Sequence, residues 1–330
     1  MIKLEKTKGV DFKVLNLSDP QLGAAEWDES APQRKLLVDT VNELVSRVKP
    51  DLITVSGDLA WAGSDVSYGS IGKFLESFGI PWTVVWGNHD NQKGPEWVEH
   101  VVQMYTEHAH FIYERGDEKL GNGNFVIGIE EDGKIVEGLI MMDSHDRMPY
   151  TYPDGTVKNE WAKLIPEQIT WYSERVNELK ALGCNDTTVI LHIPIYAYLP
   201  AFEEAFDNRF DPMQVSVEES AAGVCWNDGY KDSYGVKWDP ISVYPEDEGM
   251  FDEIKKLGST KTVLCGHDHK NNYVINYKGV RLAFSLKAGA GCYWHGKLNG
   301  GTVLQIDDSG VKAIVHEYVK PSVDLPNTSV

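Results

Sequence analysis

Short apolar runs recur along this chain, and five of them end on residues of types that can ligate metal ions. Residues 81–86 (PWTVVW) run into Gly87-Asn88-His89-Asp90, and residues 262–265 (TVLC) into Gly266-His267-Asp268-His269. Residues 12–17 (FKVLNL) lead to Ser18-Asp19, 51–56 (DLITVS) to Gly57-Asp58, and 188–191 (TVIL) to His192. Runs this short and this apolar read as strands buried on both faces, a pattern that confines the chain to layered α/β folds. Asp19, Asp58, Asn88, His192 and His267 then all sit at carboxyl ends of strands, the edge where open α/β sheets bind ligands.

Helical patterns separate the strands. Ser30, with Pro32 and Gln33 after it, predicts a capped helix start, and Leu37, Val41, Leu44, Val45 and Val48 mark its buried face before Pro50. Further helices are expected over 67–78, 96–108, 166–182 and 247–257, the last closed by Gly258. Residues 125–129 with 135–142, 273–277 with 280–286, and 302–306 with 311–316 read as hairpins around Gly-containing turns. Strands beside a βα half predict two stacked sheets flanked by helices.

The 330 residues are 42% hydrophobic and 25% charged, enough apolar material for a sizeable core, and no linker or repeat divides them. One domain over 1–330 is expected, with a frayed tail over 320–330. The N-terminus has no apolar signal core, and no stretch nears the ~18 apolar residues a membrane span needs. The four cysteines (Cys184, Cys225, Cys265 and Cys292) have no CxxC spacing, as expected of buried thiols in a reducing compartment. A cytoplasmic location without a membrane partner follows as the expectation. The net charge of −19 disfavours extended nucleic acid as a partner but leaves a small phosphorylated substrate open.

Mixed carboxylate and imidazole donors suit manganese, iron or zinc. Asp58 is the natural bridge, because its two oxygens can each face one cation. On that reading Asp19, Asp58 and His269 hold one metal, and Asp58, Asn88, His192 and His267 the other. Two ions about 3.5–4 Å apart would clamp phosphate oxygens and deprotonate a water for in-line attack on phosphorus. His89 cannot easily share a metal with adjacent Asn88, so it is assigned as general acid or transition-state stabiliser, with Asp90 fixing its tautomer. His100, His108, His110, His145, His295 and His316 are read as solvated or structural.

With these strings the chain resembles the calcineurin-like metallophosphoesterase superfamily, and within it the branch related to purple acid phosphatases. The resemblance runs from Phe12 to about His316 and implies an αββα sandwich, a dinuclear centre and the roles given above. It also implies a phosphatase or phosphodiesterase. Phosphomonoesters are the favoured substrates; a small diester, or metal and phosphate binding without catalysis, are the alternatives. Two departures stand out. The family's first block reads Asp-x-His, whereas here it is Asp19-Pro20-Gln21, so Gln21 is either an amide ligand to a weaker first metal site or is displaced by water. Trp61 stands where the purple enzymes' tyrosine ligates iron, which removes the purple chromophore and leaves Trp61 to wall the cleft or pack structurally. Finally, residues 196–245 are aromatic, acidic and poorly periodic, and are expected to cap the cleft and select substrate.

Overall fold

The computed structural model describes residues 1–329. Along the chain run β1 (Ile2–Glu5), β2 (Phe12–Leu17), α1 (Pro32–Val48), β3 (Leu52–Ser56), α2 (Asp65–Glu76), β4 (Trp82–Val85), the single turn α3 (Asn88–Asn91) and α4 (Pro95–Tyr105). There follow β5 (Phe125–Glu131), β6 (Lys134–Met141), β7 (Arg147–Thr151), β8 (Val157–Trp161), α5 (Pro166–Ala181), β9 (Thr187–Ile190), α6 (Tyr198–Ala205) and α7 (Val217–Ala221). The last are α8 (Met250–Leu257), β10 (Thr260–Cys265), β11 (Val274–Tyr277), β12 (Val280–Phe284), β13 (Gly300–Asp307) and β14 (Gly310–Tyr318).

Two sheets form, in the orders β1-β5-β6-β9-β10-β12-β11 and β14-β13-β2-β3-β4. The β2-β3-β4 and β6-β9-β10-β12 neighbours are parallel, and hairpins complete both sheets as mixed ones. Period-two alternation explains the layering. In β2, Phe12 and Val14 face the apolar layer between the sheets, which also holds Ile127, Leu139, Ile190 and Leu264. Leu15 and Leu17 face the opposite way, against Leu37 and Val41 of α1, Ile71 of α2 and Val101 of α4. On the other flank, α5, α6 and α8 bury Tyr172, Val176, Phe202 and Ile254 against the seven-stranded sheet. The expected αββα sandwich of two stacked mixed sheets flanked by helices is the observed fold.

Several local expectations change. Helix α1 starts one residue past the proposed box: Ala31 is its N-cap, Pro32 its first residue, and the Ser30 hydroxyl instead donates to Asp28 Oδ1 at 2.5 Å. Strand β1 and the β7–β8 hairpin carry no alternation strong enough to be read; the hairpin pairs outside both sheets. Residues 196–245 are less irregular than expected, since they contain α6 and α7. Phe202, Phe206 and Trp226 pack into the core there, because a helix lying on a sheet must bury one face. Over its described part the tail lies against residues 294–296. Trp294 Nε1 donates to Pro326 O at 2.9 Å, and Gly296 N to the side-chain Oδ1 of Asn327 at 2.8 Å. Residue 330 lies outside the described residues. No helix of the described residues is long and apolar enough to cross a membrane.

Candidate metal centre

The parallel strands of both sheets end at one rim, and the side chains just beyond them meet there. Backbone strain marks the meeting point: Asp19, Gln21, Asp58 and His267 have φ of 52°, 44°, 52° and 78°, left-handed values that non-glycine residues rarely adopt. Glycines just before Asp58 and Asn88 permit close approach. A Cβ on Gly87 would lie 2.1 Å from Asp58 Oδ1, and one on Gly57 2.4 Å from His192 Nδ1. Each glycine thus makes room for a donor from another strand.

All seven proposed ligands form one buried, contiguous group. His192 Nε2 lies 3.0 Å from Asn88 Oδ1, 3.4 Å from Asp58 Oδ2 and 3.2 Å from His267 Nδ1. His269 Nε2 lies 3.3 Å from Asp19 Oδ1, and Gln21 Nε2 donates to Asp58 Oδ2 at 2.6 Å. Donor atoms of Asp19, Asp58 and His269 fall within 4.8 Å of one another. The imidazole tautomers are set from behind. His192 Nδ1–H donates to Ser56 O at 2.8 Å and His269 Nδ1–H to Tyr293 O at 2.7 Å, which turns each Nε2 towards the carboxylates.

Cations fit this group. Asp19 Oδ1 and Gln21 Oε1 are buried without hydrogen-bond partners, an expense that a bound cation would remove. The field has the same sign. Burial pulls His192 down, but Asp58 and then Asp19 and the Ser56 carbonyl push it up to about 10. Asp58 is raised by burial yet held below its usual range by His192 and His89; Asp19 is likewise held low, chiefly by His269 and His192. His267 is driven the other way, to about 3, by burial and then by the charge on His192. The two carboxylates thus favour positive charge at His192, while burial disfavours it at His267 and His269.

His89 and Asp90 part company. Asp90 is the third residue of α3, and its carboxylate turns back under the turn to accept from Gly87 N at 2.7 Å, Leu59 N at 3.1 Å and Tyr68 Oη at 2.6 Å. Adjacent helical residues point in different directions, so Asp90 cannot reach the His89 ring. The role given to Asp90 is therefore corrected: it ties the Asn88 turn to the Asp58 turn. Burial, then repulsion from Asp58, raises its carboxyl to about 7. Besides Asp58, the carboxyl that feels the His89 charge is Asp146, which carries no sequence signal. His89 itself projects into the cleft with its Nε2 3.9 Å from Asp58 Oδ2 and its ring 4.4 Å from Trp61.

The cleft over these residues has a volume of about 640 Å³. Trp61 lines it at 42% exposure, with Trp161, Trp238, Met213, Cys292 and Tyr293. Tyr293 stacks on His269 at 3.9 Å, and Trp161 meets His267 edge-on at 4.3 Å. Asp239, Pro240 and Ser242 bring part of the 196–245 segment to the same wall, held by Asp268 Oδ2, which accepts from Ser242 N at 3.0 Å. Sequence reasoning also missed Lys287. Its buried ammonium donates to Asp19 O, and burial lowers it to about 8 against the pull of Asp19. His145 bonds Gln168 at 2.8 Å and His295 lines a different groove, so neither belongs to the cleft.

Residues 12–271 match the family described as calcineurin-like phosphoesterase. A probable inactive purple acid phosphatase of Arabidopsis thaliana, number 29, is 25% identical over 89% of this chain and 76% of its own length. Another from the same plant, number 14, is 24% identical over 92% and 77%. Phosphatase DCR2 of Saccharomyces cerevisiae is 24% identical over 83% of this chain, which spans only 46% of that protein. A dimetal phosphatase from Danio rerio has the same fold, with a TM-score of 0.58 at 13% identity over 90% of this chain and 93% of its own. With strand-end motifs, fold and match over most of its length in agreement, the chain belongs to the calcineurin-like phosphoesterase family.

Proposed function

We propose that this protein is a dinuclear metal-dependent phosphoesterase that favours phosphomonoesters. The observation that carries the reading is the Asp19–Asp58–His269 group, whose donor atoms gather within 4.8 Å while Asp19 Oδ1 stays buried without a hydrogen bond. Asp19, Asp58, Gln21 and His269 would hold one ion, and Asp58, Asn88, His192 and His267 the other. When bound, such a pair supplies Lewis-acid charge to the phosphoryl oxygens and acidifies a water. The chain's own residues do the rest. Ser56 and Tyr293 carbonyls keep His192 and His269 aimed, and Asp90 keeps the two carrying turns in register. His89, half-buried beside Asp58, delivers a proton to the leaving oxygen. Tryptophans at 61, 161 and 238 exclude water, and residues 196–245 contribute to substrate choice through Trp238, Asp239, Pro240 and Ser242.

A second reading, metal or phosphate binding without turnover, draws on Gln21, whose amide nitrogen faces Asp58 Oδ2 where the family pattern has imidazole. The names of the two plant relatives point the same way. Elemental analysis with paired aryl monoester and diester assays separates the readings. The enzyme reading requires two equivalents of manganese, iron or zinc and hydrolysis, faster for the monoester. One equivalent and no turnover would establish the binder; faster diester cleavage would reverse the substrate preference.

A further inference from the structure

The chain carries net charge −19, and its arginines are mostly neutralised: Arg47, Arg115, Arg175 and Arg209 each lie within 4 Å of a carboxylate. Two cationic side chains line the metal cleft. Lys270 is paired with Asp239 at 3.3 Å. Arg147 is different. Its guanidinium lies 3.7 Å above the centre of the Trp161 ring, its one hydrogen bond is a long one of 3.3 Å to Asn159 O, and it makes no ion pair among the described residues. Asp146 next to it is not within ion-pair distance, although Arg147 and then His89 pull its carboxyl down against burial.

This arrangement is built by the β7–β8 hairpin, which stands outside both sheets and pairs Arg147 with Trp161 across its open end. Stacking on indole fixes the plane of the guanidinium and leaves its N–H edge free to meet an anion in bidentate fashion. The same indole touches His267 edge-on at 4.3 Å. Trp161 thus touches both the guanidinium and a proposed metal ligand, while Arg147 itself makes no hydrogen bond or ion pair with any proposed ligand among the described residues. An unpaired, pre-oriented arginine in an otherwise acidic cleft is a recognition element.

We propose that Arg147, supported by Trp161, is the binding site for a second anionic group of the substrate, a phosphate held one ring-width from the reacting phosphorus. The substrate class is therefore a bisphosphorylated compound. This rests on the phosphoesterase reading for the identity of the reacting group, but binding can be tested apart from turnover. The probes are benzene-1,4-bisphosphonate, phenylphosphonate and 4-carboxyphenylphosphonate, titrated calorimetrically into the full chain with and without manganese. The bisphosphonate should bind wild type about tenfold more tightly than phenylphosphonate, and R147A should erase most of that ratio, as loss of a charge-assisted bidentate contact does. R147K should restore it only partly, because an ammonium lacks the planar fork. An equal loss for all three ligands, or an unchanged ratio in an R147A protein of wild-type melting temperature, would overturn the inference. Preference for the carboxylate probe would assign the site to carboxylates and overturn the bisphosphate class. Failure of wild type to hydrolyse phenyl phosphate would count against the phosphoesterase reading alone, since the ligand ratio does not depend on it.

Discussion

Asp90 and His89 are neighbours in sequence but belong to different parts of the machinery. Asp90 bonds two backbone N–H groups and the Tyr68 hydroxyl, whereas His89 faces the cleft beside Trp61. His89→Ala should therefore keep both metal ions, because the His89 ring makes no hydrogen bond to a proposed ligand and its Nε2 stays 3.9 Å from Asp58 Oδ2. Turnover of an aryl phosphate should fall by about 10²–10⁴, the usual worth of a positioned proton donor. Metal content is read by elemental analysis and rate by steady-state assay. A variant that loses metal along with activity would make His89 part of the metal shell. At this scale the donor set was readable beforehand, since each donor follows an apolar run. Asp146, Arg147, Tyr293 and Lys287 were not, because single polar residues far apart in sequence announce nothing until the chain folds.

Strand ends place the site, and strand interiors hold a separate electrostatic load. Glu137 of β6 is buried, with Oε2 accepting from Val311 N at 3.1 Å and Oε1 without a partner. Burial raises its carboxyl from 4.5 to about 8, against the pull of Thr188, the Val311 amide and Arg281. Below the unfolded value both states hold the proton, and Glu137 costs nothing. As pH rises towards about 8 the unfolded chain releases that proton while the folded chain keeps it, so folding weakens over this window. Glu137→Gln should remove the dependence. Its stability advantage over wild type should grow between pH 5 and pH 8.5 by roughly a few kcal/mol, read from urea unfolding midpoints. Parallel pH curves for the two proteins would refute this. The β1 strand and the β7–β8 hairpin escaped sequence reading for a related reason. Partly exposed strands need no apolar alternation, so their existence depends on partners found elsewhere in the chain.

Across the molecule, the centre joins the two sheets: Asp19, Asp58 and Asn88 follow strands of one, His192 and His267 strands of the other. A cation bound between them would cross-link the sandwich at its rim and so favour the folded chain. Manganese at about a hundredfold excess over its dissociation constant should add about 2.7 kcal/mol per site. The melting temperature should rise by several degrees with manganese and return on addition of chelator, as calorimetry would record. An unchanged melting temperature would mean that the donors do not act together on a cation. The sequence by itself determined the layered α/β class and the metal-binding residue types at strand ends, because apolar periodicity and strand-end polarity are local properties of a chain. Only the tertiary structure decided that Asp90 turns away from His89, that Arg147 lies on Trp161, and that the tail packs against Trp294. Those outcomes depend on contacts between segments far apart in sequence, whose geometry no local pattern encodes.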